Sequence, residues 1–189
     1  MLDLFRFFDN VYRLKRTPRA GFWYYGVKSP ETVAEHVFGV AILTYIFGEY
    51  LRSELNYTIN VEKALKMAII HELGEAMIGD IHLESRNYIG KCVEDGERKA
   101  LEEMAAYLPD NLQTEIKELY NEFEKGETIE ATLVRSLDKV DLLIQALNYE
   151  KAGYRNLDKF FDEQQNFKYI EHISEIRDFV QELKKRRPT

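Results

Sequence analysis

Residues 60–80 read NVEKALKMAIIHELGEAMIGD, and the spacing of the apolar positions in this stretch decides the fold class. Leu65, Ala68, Ile69, Glu72 and Ala76 share one stripe of a 3.6-residue period, Asn60 stands where a helix cap would, and Gly79 stands where the helix would stop. The stretch therefore predicts one helix running through Ala76. Within it, Glu75 lies four positions after His71 and three after Glu72, so a continuous helix carries a histidine and two acids over one turn. Their neighbours are Ile69, Ile70, Leu73 and Ala76. Desolvating such a patch is costly, and a bound cation is one of the few ways to offset that cost. The competing reading is a polar stripe that faces water. Three other features weigh against it: Glu35-His36 in an apolar helical segment, Gly79-Asp80 after this helix, and Leu137-Asp138-Lys139 in an otherwise apolar run. Imidazole nitrogen and carboxylate oxygen suit a divalent transition ion, which lowers the pKa of a bound water from about 15.7 toward roughly 7. The ligand types are too widely spaced for one loop, so three helices must converge.

Working outward, Leu4, Phe5, Phe8, Val11 and Tyr12 mark an opening amphipathic helix that ends near Lys15, with Thr17-Pro18 as its stop. Pro18 to Lys28, rich in aromatics, reads as an ordered loop. Ser29-Pro30-Glu31 has the residue types of a helix start and leads into Val33, His36, Val37, Val40, Ala41 and Ile46. The segment from His82 to Gly96 has weak periodicity and reads as a loop. Further helices are expected at about 97–107, 110–125, 129–152 and 157–165, with a C-terminal helix at about 169–187. No convincing strand appears, and the fold class is all-α, in one domain covering residues 1–189 with its core in about 1–165.

Composition narrows the function classes. The 189 residues are 45% hydrophobic, enough for one filled core, and no apolar run is long enough to cross a bilayer. The chain is expected to be cytoplasmic, with no membrane partner. Cys92 is the lone cysteine, so no intrachain disulfide forms. A formal net charge of -7 argues against a nucleic-acid polymer as partner. Residues 1–30 nevertheless carry a surplus of four positive charges, from Arg6, Arg13, Lys15, Arg16, Arg19 and Lys28 against Asp3 and Asp9. A small anion would find its counter-charges there. The terminal Lys184, Lys185, Arg186 and Arg187 fit the negative end of a helix dipole and are read as structural, as is His172. His82 is read as a surface imidazole.

His71-Glu72-Leu73-Gly74-Glu75 is one residue away from the H-E-x-x-H pattern of zinc peptidases, but position 75 offers a carboxylate where that motif needs its second histidine. The order His36, then His71 followed by an acid, then Asp138, instead resembles the H…HD…D signature of the HD-domain phosphohydrolase superfamily. The likeness extends to the stretch Arg13 to Arg19, to Glu31–His36, to His71–Ile81 and to the Asp138 segment, and within the superfamily these resemble the 5'-deoxynucleotidase branch.

The resemblance implies an HD-type helical bundle and a metal-dependent phosphomonoesterase acting on nucleoside 5'-monophosphates, deoxyribonucleotides foremost. It implies His36, His71, Glu72 and Asp138 as ligands of a divalent cation such as cobalt, manganese or zinc. Glu75 is then the catalytic residue that aligns or deprotonates the attacking water. Arg19 grips the phosphate, with Lys15 and Arg16 as further candidates, and Asp80 contacts the sugar, where a carboxylate disfavours a 2'-hydroxyl. Position 72 departs from the family pattern, since Glu72 reaches one methylene farther than aspartate. Two alternatives stay open on the sequence: a nucleotide-binding module without turnover, and a phosphohydrolase for a larger nucleotide. Surplus aromatic surface, together with the resemblance, leads to the expectation of a homodimer.

Overall fold

A computed structural model describes residues 3–188. Its helices are α1 (Leu4–Val11), α2 (Ala20–Tyr24), α3 (Val33–Glu54), α4 (Val61–Ile70), α5 (Glu75–Ile78), α6 (Leu83–Ile89), α7 (Cys92–Ala105), α8 (Asp110–Lys125), α9 (Ile129–Lys151), α10 (Asp158–Asp162) and α11 (Ser174–Lys184). Single 3-10 turns occupy Tyr12–Lys15, Gln164–Phe167 and Ile170–His172. The fold is all-α. Among the described residues the only extended pairing is an isolated bridge between Pro18 and Thr32, and no helix is long and apolar enough to cross a membrane.

The helices group into two compact units, one comprising the chain up to Val37 with Ile70–Asn121, the other Phe38–Ile69 with Glu122 onward. In the first unit, Asp3 caps α1 by accepting from the Arg6 N–H at 3.1 Å. The bridge at Pro18 is flanked by Arg19 N–H to the Glu31 carbonyl and Val33 N–H to the Thr17 carbonyl, each 2.9 Å. These bonds hold residues 29–31 outside the helix. The start of α3 accordingly falls at Thr32 and not at Ser29-Pro30-Glu31: the Thr32 hydroxyl accepts from the Glu35 N–H, and the Glu35 carboxylate accepts from the Thr32 N–H at 2.6 Å. This reciprocal capping box occupies Glu35, the acid beside His36.

The stretch 60–80 corrects the expectation of a continuous helix. α4 ends at Ile70, residues 71–74 form a turn, and α5 restarts at Glu75. The bonds across the break span three residues, Leu73 N–H to the Ile70 carbonyl and Glu75 N–H to the Glu72 carbonyl among them. Gly74 is the physical reason. A Cβ there would lie 2.4 Å from the Glu97 carbonyl oxygen, so the absence of a side chain lets α7 press directly on the break. Gly79, with φ at +81°, then ends α5, as its place in the sequence predicted. The segment 82–96 is also corrected: it forms α6 and the first turn of α7 rather than a loop. α7 buries Val93, Ala100, Leu101, Met104 and Ala105, each large apolar group contributing roughly 1.5–3 kcal/mol.

In the second unit, Thr128 caps α9, and α9 buries Leu133, Val134, Leu137, Val140 and Leu143. The C-terminal helix is shorter than expected, since Ile170 sits in a 3-10 turn and α11 closes at Lys184. Its basic end is structural: Lys184 donates to the Phe161 carbonyl, and Arg187 forks onto Glu150 at 2.6 and 2.9 Å while also reaching Asp158.

Candidate active site

Within the first unit, α3 supplies His36 one turn after its cap, and the break after α4 supplies His71 and Glu72. His36 is fully buried and His71 is nearly so. Glu72 Oε1 lies 3.8 Å from His36 Nε2 and 3.7 Å from His71 Nε2, and the two imidazole rings meet edge to face at 5.6 Å. The three residues offer donor atoms within 4.8 Å of one another. Glu72 is long enough to lie between both imidazoles, so the extra methylene does not take its carboxylate out of reach.

Arg19 approaches the same carboxylate, its Nη1 donating to Glu72 Oε1 at 3.2 Å, and its Nε lies 4.0 Å from Asp80 Oδ2. Asp80 is fixed in turn by the Ala20 N–H, which donates to Oδ2 at 2.7 Å. Arg19 and Asp80 are thus gathered with His36, His71 and Glu72. Lys15 and Arg16 are exposed, and the Lys15 ammonium lies 4.1 Å over the Tyr12 ring. Asp138 belongs to the second unit, where it is buried on α9 with the Lys139 ammonium 3.1 Å from its Oδ2.

Glu75 opens α5 and is 2% exposed, with its Oε2 lacking a hydrogen-bond partner. Burial pushes its carboxyl well above the usual glutamate range; Glu72 and Asp80 push the same way, and Arg19 opposes them. Two residues of this neighbourhood escaped the sequence reading. Arg86 donates to Glu97 Oε1 and to the Ile81 carbonyl, and its Nη2 stands 3.8 Å from Glu75 Oε1. Burial disfavours its charge, but Glu97, Glu72 and Glu75 more than restore it. Arg86 and Glu97 lie eleven positions apart on different helices, so no local spacing announces the pair.

His82 is also more than a surface imidazole. It caps α6 through Ser85 and stacks on Tyr24, with ring centroids 4.4 Å apart and planes 27° from parallel. The aromatic segment around it divides: Phe22 is fully buried, whereas Trp23 and Tyr24 are 64% and 57% exposed.

The chain matches known proteins over most of its length. The HD domain family model matches residues 11–177. A Schizosaccharomyces pombe protein named 5'-deoxynucleotidase hdd1 is 34% identical over 168 residues, covering 84% of this chain and 79% of its own. The 5'-deoxynucleotidase HDDC2 of Xenopus laevis is 32% identical over 153 residues, covering 81% of this chain and 72% of its own. Among solved structures, a conserved hypothetical protein from Pyrococcus furiosus superposes with a TM-score of 0.81 at 38% identity, covering 95% of this chain and 98% of its own.

Proposed function

The chain belongs to the HD-domain family, and from that premise we propose that it is a metal-dependent 5'-nucleotidase that hydrolyses deoxynucleoside 5'-monophosphates to nucleoside and phosphate. The observation that carries the reading is the buried gathering of two imidazoles, a carboxylate and an arginine with Asp80 at its edge. Two imidazole nitrogens and a carboxylate in a desolvated setting are a donor set fitted to a divalent transition cation. His36, His71 and Glu72 would hold it, with Asp138 from α9 as the fourth ligand. The relatives named 5'-deoxynucleotidase lend the substrate class.

A bound divalent cation would acidify water and draw charge from the phosphoryl oxygens, which phosphate-monoester hydrolysis requires. The protein's own residues divide the remaining work. Glu75 has a buried carboxylate oxygen with no hydrogen-bond partner and a raised proton affinity, so it accepts and holds a proton from the attacking water. Arg19 supplies the planar fork of donors for the phosphate, and we assign it this role ahead of the exposed Lys15 and Arg16. Asp80, pinned by the Ala20 N–H, faces the sugar and disfavours a 2'-hydroxyl. Arg86, braced by Glu97 and the Ile81 carbonyl, keeps Glu75 in place.

The expected result is phosphate release from deoxynucleoside monophosphates with cobalt or manganese present, abolished by a chelator and restored by re-addition. Folded protein that releases no phosphate with any divalent ion overturns the assignment. A nucleotide-binding module without turnover would instead give calorimetric binding and no product.

We also propose a homodimer. Phe38, Ile42, Tyr45, Ile46 and Tyr50 are all exposed and recur along one face of α3, an apolar stripe suited to isologous packing against its own copy. Light scattering should give twice the 22.3 kDa chain mass, and Ile46→Glu should halve it. A wild-type monomer would refute this.

A further inference from the structure

α2 and the segment 80–84 run beside each other, tied at both ends. At one end the Ala20 N–H donates to Asp80 at 2.7 Å; at the other the Tyr25 hydroxyl donates to Glu84 Oε1 at 3.0 Å. Between these ties lies the stacked pair of Tyr24 and His82. His82 is held at its ring nitrogens by Ser85, through the N–H at 3.4 Å and the hydroxyl at 3.0 Å. The Tyr25 ring meets Tyr24 nearly perpendicularly, with centroids 5.1 Å apart. Yet Tyr24 remains 57% exposed. An aromatic ring braced by two ring neighbours and still more than half exposed offers apolar surface that a flat partner can cover.

Its position sets which partner. The tie at Ala20 and Asp80 marks the end nearest Arg19. Tyr24 is four residues along α2 from Ala20, a rise of roughly 6 Å, and His82 is two residues of extended chain beyond Asp80. A nucleotide with its phosphate at Arg19 and its sugar at Asp80 would carry its base a comparable distance from that phosphate.

We propose that the Tyr24–His82 pair is the nucleobase subsite, with the base packed on the exposed surface of the Tyr24 ring. This rests on the nucleotidase reading above. Every base has a π-face, so stacking recognises that a base is present and favours the larger purines over pyrimidines.

The test compares 2'-deoxyadenosine 5'-monophosphate with 2-deoxyribose 5-phosphate, which has the phosphate and sugar without the base. Tyr24→Ala should lower the ratio of kcat/KM for the nucleotide over the sugar phosphate by roughly 5- to 100-fold, with the loss in KM. Tyr24→Phe should keep the wild-type ratio. Equal losses on both substrates, or an unchanged ratio, overturn the proposal. If wild-type protein hydrolyses neither compound, the nucleotidase reading fails by itself. Calorimetry with deoxyadenosine then decides the subsite: binding that Tyr24→Ala removes upholds it, and no binding by wild type, or binding that survives Tyr24→Ala, overturns it.

Discussion

Glu75→Gln is expected to lower kcat on deoxynucleoside monophosphates by about 10²- to 10⁴-fold, the range of a lost general base, while KM and metal content stay near wild type. The amide matches the carboxylate in size and keeps α5 packed, but it accepts no proton from water. Glu75 lies outside the set proposed to hold the cation, so elemental analysis of the purified variant should find the same metal as in wild type. A kcat within threefold of wild type would remove Glu75 from the mechanism.

The same variant should behave oppositely in stability. Burial raises the Glu75 carboxyl above its ordinary value, and the nearby Glu72 and Asp80 add to the shift, so the folded state holds this proton over a pH window in which the unfolded chain has released it. The stabilising contribution of protonated Glu75 is therefore complete below the ordinary glutamate pKa and is lost as pH rises through the raised one. Glutamine carries no such dependence. Metal-free Glu75→Gln should melt above metal-free wild type at neutral pH, with the difference closing as pH falls to about 4. A constant difference across that range would contradict the assigned shift.

What the residues disclose depends on how local the determining interaction is. α9 was legible because its burial follows its own 3.6-residue period, with Leu133, Leu137 and Val140 on the core side and Asp138 among them. His36 and His71 were legible because a histidine in an apolar helical segment needs a reason. The start of α3 was misplaced although Thr32 and Glu35 spell a capping box, because Ser29-Pro30-Glu31 carries equally good local signals. The bonds flanking the Pro18–Thr32 bridge decide between them, and they involve residues more than ten positions away. In 82–96, Glu94 and Asp95 in the first turn of α7 were a readable helix start, masked by the short α6 before it. Arg86, Glu97 and the Tyr24–His82 stack are tertiary pairings with no spacing to announce them.

Gly74 joins these two levels, and its replacement is the sharpest test of the site's architecture. Read locally, a glycine inside a helical pattern is a modest weakness of about 1 kcal/mol, so alanine should help. The structure reverses the sign. An alanine Cβ would stand 2.4 Å from the Glu97 carbonyl oxygen and 2.8 Å from its carbonyl carbon and Cα, all backbone of α7, which cannot swing aside as a side chain would. Gly74→Ala should cost about 2–3 kcal/mol and lower Tm by roughly 4–12 °C. Because the break carries His71 and Glu72, metal affinity should fall with it. Gly96→Ala is the internal comparison: it lies on α7 beside Glu97, where the new Cβ would meet only Ile78 Cδ1 at 3.7 Å, an ordinary contact. That variant should melt at or slightly above wild type. If Gly74→Ala also melts like wild type and keeps its metal, close backbone packing is not what breaks the helix at His71, and the geometry that presents His71 and Glu72 has another cause.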